Sequence, residues 1–345
     1  REFPIDKVIT NHDYERYAIE RDEEIRTLLK AEGIDFATYK DQVIYEKKEV
    51  VKDDGNPYMV YTPYSRKWLA KFHQEEIENY PSENHLGNLY NEQPLPHLSH
   101  KEMGFETSEM IPIDFRFDDE LIDQYEATRN FPADDATSRL GVHLRFGTQS
   151  VRKLISKSAS RENTTFLKEL IWREFFMQIL WHFPHTVNQC FKKQYDRIEY
   201  RNNEEEFEKW CQGKTGYPLV DAGMRELNRT GFMHNRVRML TASFLCKHLL
   251  IDWRWGEAYF AEKLFDYEMS SNIGNWQWSA GCGVDAAPYF RIFNPHEQIK
   301  KFDKGLEYIK KWIEDLDQPS YPEPIVAHKF ARERCLMEYK LALNT

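Results

Sequence analysis

The stretch NIGNWQWSAGCGVDAAPYFRIFN, residues 272–294, decides how this chain folds. It sets Trp276 and Trp278 beside a run of glycines and alanines, then adds Tyr289, Phe290 and Arg291. Small residues let backbone approach something flat, and aromatic rings can line it or carry an electron to it. Polar groups in the same span can aim at its edge. The mixture reads as the wall of a buried cofactor pocket. A glycine-containing turn between two packed helices is the competing reading.

On both sides of this stretch the apolar residues recur at helical spacing. Helices are expected over 118–130, 138–147 and 151–156, and over 163–183, which Pro184 stops. Others are expected over 204–210, 220–231, 235–251, 255–264, 305–316 and 327–341. Towards the start the pattern changes to strand 7–10, helix 14–32 ended by Gly33, and strands 34–39 and 42–45, an α/β signature too short for a complete sheet. DDGNP (53–57) is a turn, 64–72 a short helix, and 80–109, with Pro81, Pro94 and Pro96, a long connector. The fold class is therefore α+β and multidomain. A partial α/β piece (1–50) and a linker (51–115) precede a large all-helical domain (116–345).

The chain has 345 residues, 41% hydrophobic and 14% aromatic, enough for a substantial core. A net charge of −10 argues against indiscriminate coating of nucleic acid. Between 144 and 173, however, Arg145, Arg152, Lys153, Lys157, Arg161, Lys168 and Arg173 outnumber the acids, so a local basic face towards phosphates is expected. Cys190, Cys211, Cys246, Cys282 and Cys335 are scattered, which fits reduced, metal-free thiols and a cytoplasmic location. His85, His97 and His100 match no metal-site spacing, and no metal is expected. No stretch is apolar and long enough to span a membrane, and no signal peptide is evident. The chain opens at Arg1, which suggests a fragment.

Polar chemistry collects at a few points. Thr137, Ser138 and Arg139 precede an expected helix, where they could cap it or receive a phosphate. Glu169 and Arg173 are four apart and could simply pair along one helix, while Trp172 adds a stacking face. Asn235 and Arg238 share one helical face, Arg236 and Met239 another. Asn235, in so apolar a stretch, should satisfy something buried. Asp266, Glu268 and Asn272 could accept from sugar hydroxyls or cap helices, and no nucleophile accompanies them. Trp253 and Trp276 could form part of an electron relay, or be two core tryptophans.

Six ordered motifs, TSRLGVHLRFG (137–147), ELIWREFF (169–176), KTGYPLVDAGMREL (214–227), GFMHNRVRM (231–239), LLIDWRWGEAYF (249–260) and NWQWSAGCGVDAAPYFRIFNP (275–295), together resemble the photolyase/cryptochrome family. The resemblance runs from about residue 117 to near the end. It makes residues 1–50 look like the last part of the family's Rossmann-like antenna domain, and 51–115 like its wrapping linker. It implies FAD, active when fully reduced, inside the helical domain. Tyr125, Thr137, Ser138, Arg139 and Leu140 would hold its phosphates and ribityl chain, with Gly141 where relatives often carry Ser. Asn235 and Arg238 would line the flavin, Asp266 and Glu268 would face ribose and ring, and Asn272 would sit opposite N5. An antenna chromophore, folate or a second flavin, is also implied.

His234-Asn235, rather than a His-His pair, most resembles class I enzymes for cyclobutane pyrimidine dimers. The implied partner is DNA containing that lesion, and the implied protein a monomer. Glu169, Trp172, Arg236, Met239, Trp278 and Arg291 would form the lesion pocket, with Trp172 and Trp278 offering flat faces and the arginines holding phosphates. The implied chemistry is light-driven electron transfer from reduced FAD to the cyclobutane ring. Trp276 and Trp253 match the first two members of the family's tryptophan chain, and Tyr200 stands at the usual surface position, with Trp210 or Tyr195 as substitutes. A cryptochrome-type photoreceptor and a non-catalytic helical DNA-binding protein are the rival readings.

Overall fold

The computed structural model describes residues 4–78, 80–90 and 97–344. Pro94 and Pro96 of the expected connector lie outside the described residues. Strand β1 (Lys7–Asn11), helix α1 (Arg16–Ala31) and strand β2 (Asp35–Tyr39) make one parallel βαβ unit, in register from Lys7 opposite Asp35 to Asn11 opposite Tyr39. Residues 42–45 form no strand. The backbone N–H groups of Ile44 and Tyr45 donate instead to the Glu174 carboxylate, at 2.8 and 3.0 Å. Trp68 on helix α2 (Tyr61–Phe72) donates its indole N–H to the same group at 2.5 Å. One buried acid thus ties the α/β unit and the connector to the helical domain.

Helices α3 (Asp119–Thr128), α4 (Gly141–Arg145), α5 (Val151–Ala159) and α6 (Thr165–His182) open that domain. α6 is apolar on all sides because α2, α3 and α5 pack around it together with a later helix. α7 (Glu204–Cys211), α8 (Pro218–Thr230) and α9 (Asn235–Ser243) follow. The helix expected over 235–251 is shorter, since α9 passes into a π turn, Phe244–His248, and Leu250 takes φ +52°. α10 (Trp253–Lys263), α11 (Met269–Ala280), α12 (Pro295–Phe302), α13 (Glu307–Trp312) and α14 (His328–Asn344) complete the chain.

α11 and α12 are missing from the sequence reading, which treated 272–294 as irregular wall. The glycines there approach the protein's own parts. A Cβ on Gly274 would lie 2.2 Å from the Phe176 ring, and one on Gly283 2.8 Å from Gln277. Gln277 is fully engaged too, accepting from Phe191 N–H and donating to the carbonyls of Thr186 and Gln189. These small residues let α11 seat against α6, where it carries the site.

Most of the basic face expected over 144–173 is paired with acids within the fold. Arg145 meets Asp13 and Glu15, Arg152 meets Asp41, and Lys153 meets Glu83; Lys157 meets Asp119, and Arg161 meets Asp119 and Asp123. Arg173 donates to the carbonyls of Gln42 and Leu144 rather than pairing with Glu169. No helix of the described residues is long and apolar enough to cross a membrane.

Candidate functional site

Gly231, with φ +66°, ends α8 in the left-handed conformation and turns the chain into α9. His234 caps α9, its Nδ1 accepting from Arg236 N–H at 3.1 Å. Burial, then Arg238 and Arg236, push this imidazole down to about 4, so it stays neutral with its proton on Nε2. α11 begins at Glu268, whose carboxylate accepts from Ser270 N–H and Ser271 N–H, both at 2.9 Å. These two helices run side by side and wall two adjoining cavities.

The first, about 110 Å³, lies between α9, α10 and α11 and is lined by Asn235, Arg238, Asp266, Glu268, Asn272 and Trp276, among others. Arg238 is committed to Asp266 through two bonds, 2.8 and 3.1 Å, and to the Met233 carbonyl at 2.6 Å. Gly141 permits this, since a Cβ there would stand 2.7 Å from Asp266 Cβ. The Asn272 amide donates to Glu257 Oε1 at 2.9 Å, and burial raises the Glu257 carboxyl against that bond. Asn235 is exposed rather than engaged with a buried group, and its amide reaches only Met239 sulfur, at 4.0 Å. Aromatic walls with Asn, Arg and carboxylate atoms along one edge fit a flat heteroaromatic group.

The second cavity, about 430 Å³, is lined by Tyr125, Thr137, Glu169, Trp172 and Arg236. It shares Asn235, Met239, Ser271, Asn275 and Trp278 with the first. Glu169 pairs with Arg129 across the mouth. Its side chain is 38% exposed, yet burial raises its carboxyl above the usual range while Arg129 opposes the shift. Arg236 bonds Asn130, and its guanidinium lies 4.5 Å from the Phe302 ring centre. Burial, Arg129 and Arg291 lower its pKa. Three arginines, Arg129, Arg173 and Arg236, line this cavity, and of these only Arg129 is ion-paired among the described residues, with Glu169.

Several expected residues fall elsewhere. Neither Thr137 nor Ser138 caps a helix, for α4 begins after Leu140, and Ser138 Oγ accepts only a 3.4 Å bond from Leu140 N–H. Ser138, Arg139, Leu140 and Arg291 line neither cavity. Arg139, at φ +53°, pairs with Asp135. Trp172 does not offer an open face on both sides, because Tyr61 lies flat against it at 3.7 Å. Tyr200 is not an exposed terminus: its hydroxyl is buried without a partner, and burial beside Cys282, Cys246 and Cys190 raises its pKa well above the phenol range. Trp253 is fully buried. Trp276 instead touches Trp210, ring centres 6.1 Å apart, and Trp210 lies 5.8 Å from Tyr259. Arg129, Asn130, Tyr61 and Glu257 were not foreseen; each acts through a contact distant in sequence. Among the described residues no group of three or more His, Cys, Asp or Glu could hold a metal.

The fold and the paired cavities define a protein that can hold a flat, light-absorbing cofactor beside a separate ligand chamber. The family model described as "FAD binding domain of DNA photolyase" matches residues 166–320, and that described as "DNA photolyase" matches residues 1–82. The deoxyribodipyrimidine photo-lyase of Vibrio cholerae is 37% identical over 97% of this chain and 79% of its own length. That of Escherichia coli is 36% identical over 96% and 78%. A bacterial class III photolyase from Agrobacterium tumefaciens superposes with a TM-score of 0.81 at 32% identity, covering 99% of this chain and 80% of that one. An archaeal photolyase from Sulfolobus tokodaii, solved with two FAD molecules, gives 0.76 at 34%, covering 97% and 79%. A Synechocystis cryptochrome shares the fold, with a TM-score of 0.78 at 24% identity, covering 96% and 79%. This chain belongs to the DNA photolyase family.

Proposed function

We propose that the chain is a deoxyribodipyrimidine photo-lyase, a cytoplasmic monomer that splits cyclobutane pyrimidine dimers in DNA. The observation that carries this is the shared wall, by which Asn235, Met239 and Trp278 face both cavities at once. The first cavity would hold FAD, which in its reduced form would supply light-driven one-electron chemistry. The protein's part is to place the two partners in contact and exclude water. Asn235, Arg238, Asp266 and Asn272 hold the ring edge, with Glu268 beside them. In the second cavity Glu169 accepts from the base edge, Trp172 and Trp278 flank an extruded pyrimidine dimer, and Arg129 and Arg236 meet phosphates. Arg291 sits near Arg236 on the exposed rim, where it adds to this field.

Trp276 lines the first cavity and would be the residue that passes an electron to a bound flavin; its ring contact favours Trp210 and then the half-buried Tyr259 as the outward route. Tyr259 donates to Asn228 Oδ1 at 2.6 Å. An antenna, folate or second flavin, belongs in the cavity of about 390 Å³ at the carboxyl ends of β1 and β2, lined by Asn11, Asp41, Tyr80, Arg145 and Arg152.

The test is repair. The flavin is reduced, an oligonucleotide with one cyclobutane thymine dimer is added, and recovery of thymine absorbance is followed under light of about 380–450 nm, where flavins absorb. Repair of this lesion and not of a (6-4) lesion is expected. Absence of bound flavin, or an intact dimer after illumination, overturns the reading.

A further inference from the structure

Tyr61 lines neither cavity and belongs to the connecting segment, yet it stacks on one residue of the second cavity's wall and is tied to two segments beside that wall. Its ring stacks on Trp172 with centres 3.7 Å apart and planes within 6°. Its hydroxyl donates to the carbonyl of Lys168, next to Glu169, at 2.8 Å. Its backbone N–H donates to the Asp285 carboxylate at 3.1 Å. Asp285 belongs to the loop that follows α11 and Trp278. Burial, reinforced by Glu169, raises the phenol's pKa, so the hydroxyl remains a donor across the working range. Tyr61 is itself buried, at 9% exposure.

The other rings around Trp172 sit more loosely. Phe176 stands 5.5 Å away at 28° and Phe175 meets the indole edge-on. The face-on partner that fixes the indole plane is therefore Tyr61. An indole left unpinned loses rotamer freedom when a ligand arrives, whereas a pinned one has already lost it.

We infer that Tyr61 is a positioning residue for the ligand chamber: it fixes the Trp172 indole in advance, and so sets the preference for an extruded pyrimidine dimer over undamaged DNA. This rests on the lesion-binding reading above, but its local half does not. The stack, not the hydroxyl bond, is the main element, so an aromatic replacement retains the effect and an aliphatic one of similar bulk does not.

The experiment uses the flavin-loaded protein labelled with 5-fluorotryptophan, the Trp172 fluorine resonance being assigned with W172F. Y61L is expected to shift or broaden that resonance, while Y61F leaves it in place. The ratio of affinities for dimer-containing over undamaged oligonucleotide falls about three- to tenfold in Y61L and recovers in Y61F. Flavin content, which a general folding defect would lower, stays unchanged. An unmoved Trp172 resonance in Y61L, an unchanged ratio, or Y61F behaving as Y61L each overturns the inference. If the wild-type protein shows no lesion preference, the proposed function falls instead, and with it the binding half of the inference. The fluorine comparison still decides whether Tyr61 fixes Trp172.

Discussion

Adding one methyl group at Gly141 is expected to unseat Arg238. The new Cβ would stand 2.7 Å from Asp266 Cβ and 3.0 Å from Asp266 Oδ2, where carbon atoms prefer about 3.5–4.0 Å. The Asp266 backbone has little room to retreat. Phe265 N–H is bonded to the Gly231 carbonyl at 3.0 Å and Tyr267 N–H to the Leu264 carbonyl at 3.3 Å. Relief must come from the Asp266 side chain, which breaks its paired bonds to Arg238. Overpacking costs about 1–3 kcal/mol and disturbed bonds to a charged group a similar amount, so Gly141→Ala should cost roughly 2–4 kcal/mol. Melting temperature should fall by roughly 3–6 °C, with weaker flavin retention. Thermal unfolding followed by flavin release measures both. In a D266G background, where the opposing Cβ is absent, the same substitution should cost little. A stable, flavin-replete G141A protein, or an equal cost in both backgrounds, refutes the reasoning. The resemblance alone suggests the reverse, since relatives often carry Ser there.

Two further outcomes are expected. Burial lifts the Glu174 carboxyl to about 7 against bonds from Ile44, Trp68 and Tyr45, so between about 4.5 and 7 the folded chain holds more protons than the unfolded one, and stability falls as pH rises through that window by about 3 kcal/mol. Glu174→Gln removes this slope, and urea midpoints at pH 5 and pH 8 should show the gap between wild type and variant narrowing as pH rises; a constant gap contradicts it. For the electron route, Trp276→Phe should abolish photoreduction of bound flavin and Trp210→Phe should slow it, with Tyr200→Phe near wild type because its buried hydroxyl has no acceptor for its proton. Transient absorption reads this, and a slow Y200F with a normal W210F restores the Tyr200 terminus.

Helical periodicity located most of the domain, because a helix that buries one face must repeat its apolar residues every three to four positions. It failed at α11. There Gly274 and the polar Asn272 and Gln277 face neighbours only three dimensions supply: the Phe176 ring, Glu257, and the carbonyls near Thr186. Irregular composition signals tight packing as readily as a ligand wall. The strand expected over 42–45 failed for a related reason, since its N–H groups found a carboxylate 130 residues away.

The sequence alone determined the family resemblance, the helical character and most residues that wall the cavities, because those depend on residue type and on spacing along one element. Only the tertiary structure decided which cations line the ligand chamber. Arg145, Arg152 and Lys153 read as a binding face yet are spent on carboxylates from other segments, while Arg129 and Arg236 stay at the mouth. It also decided that Tyr61 backs Trp172 and that Trp276 meets Trp210. Electrostatic and stacking partners are chosen by distance in space, and distance along the chain carries no record of them.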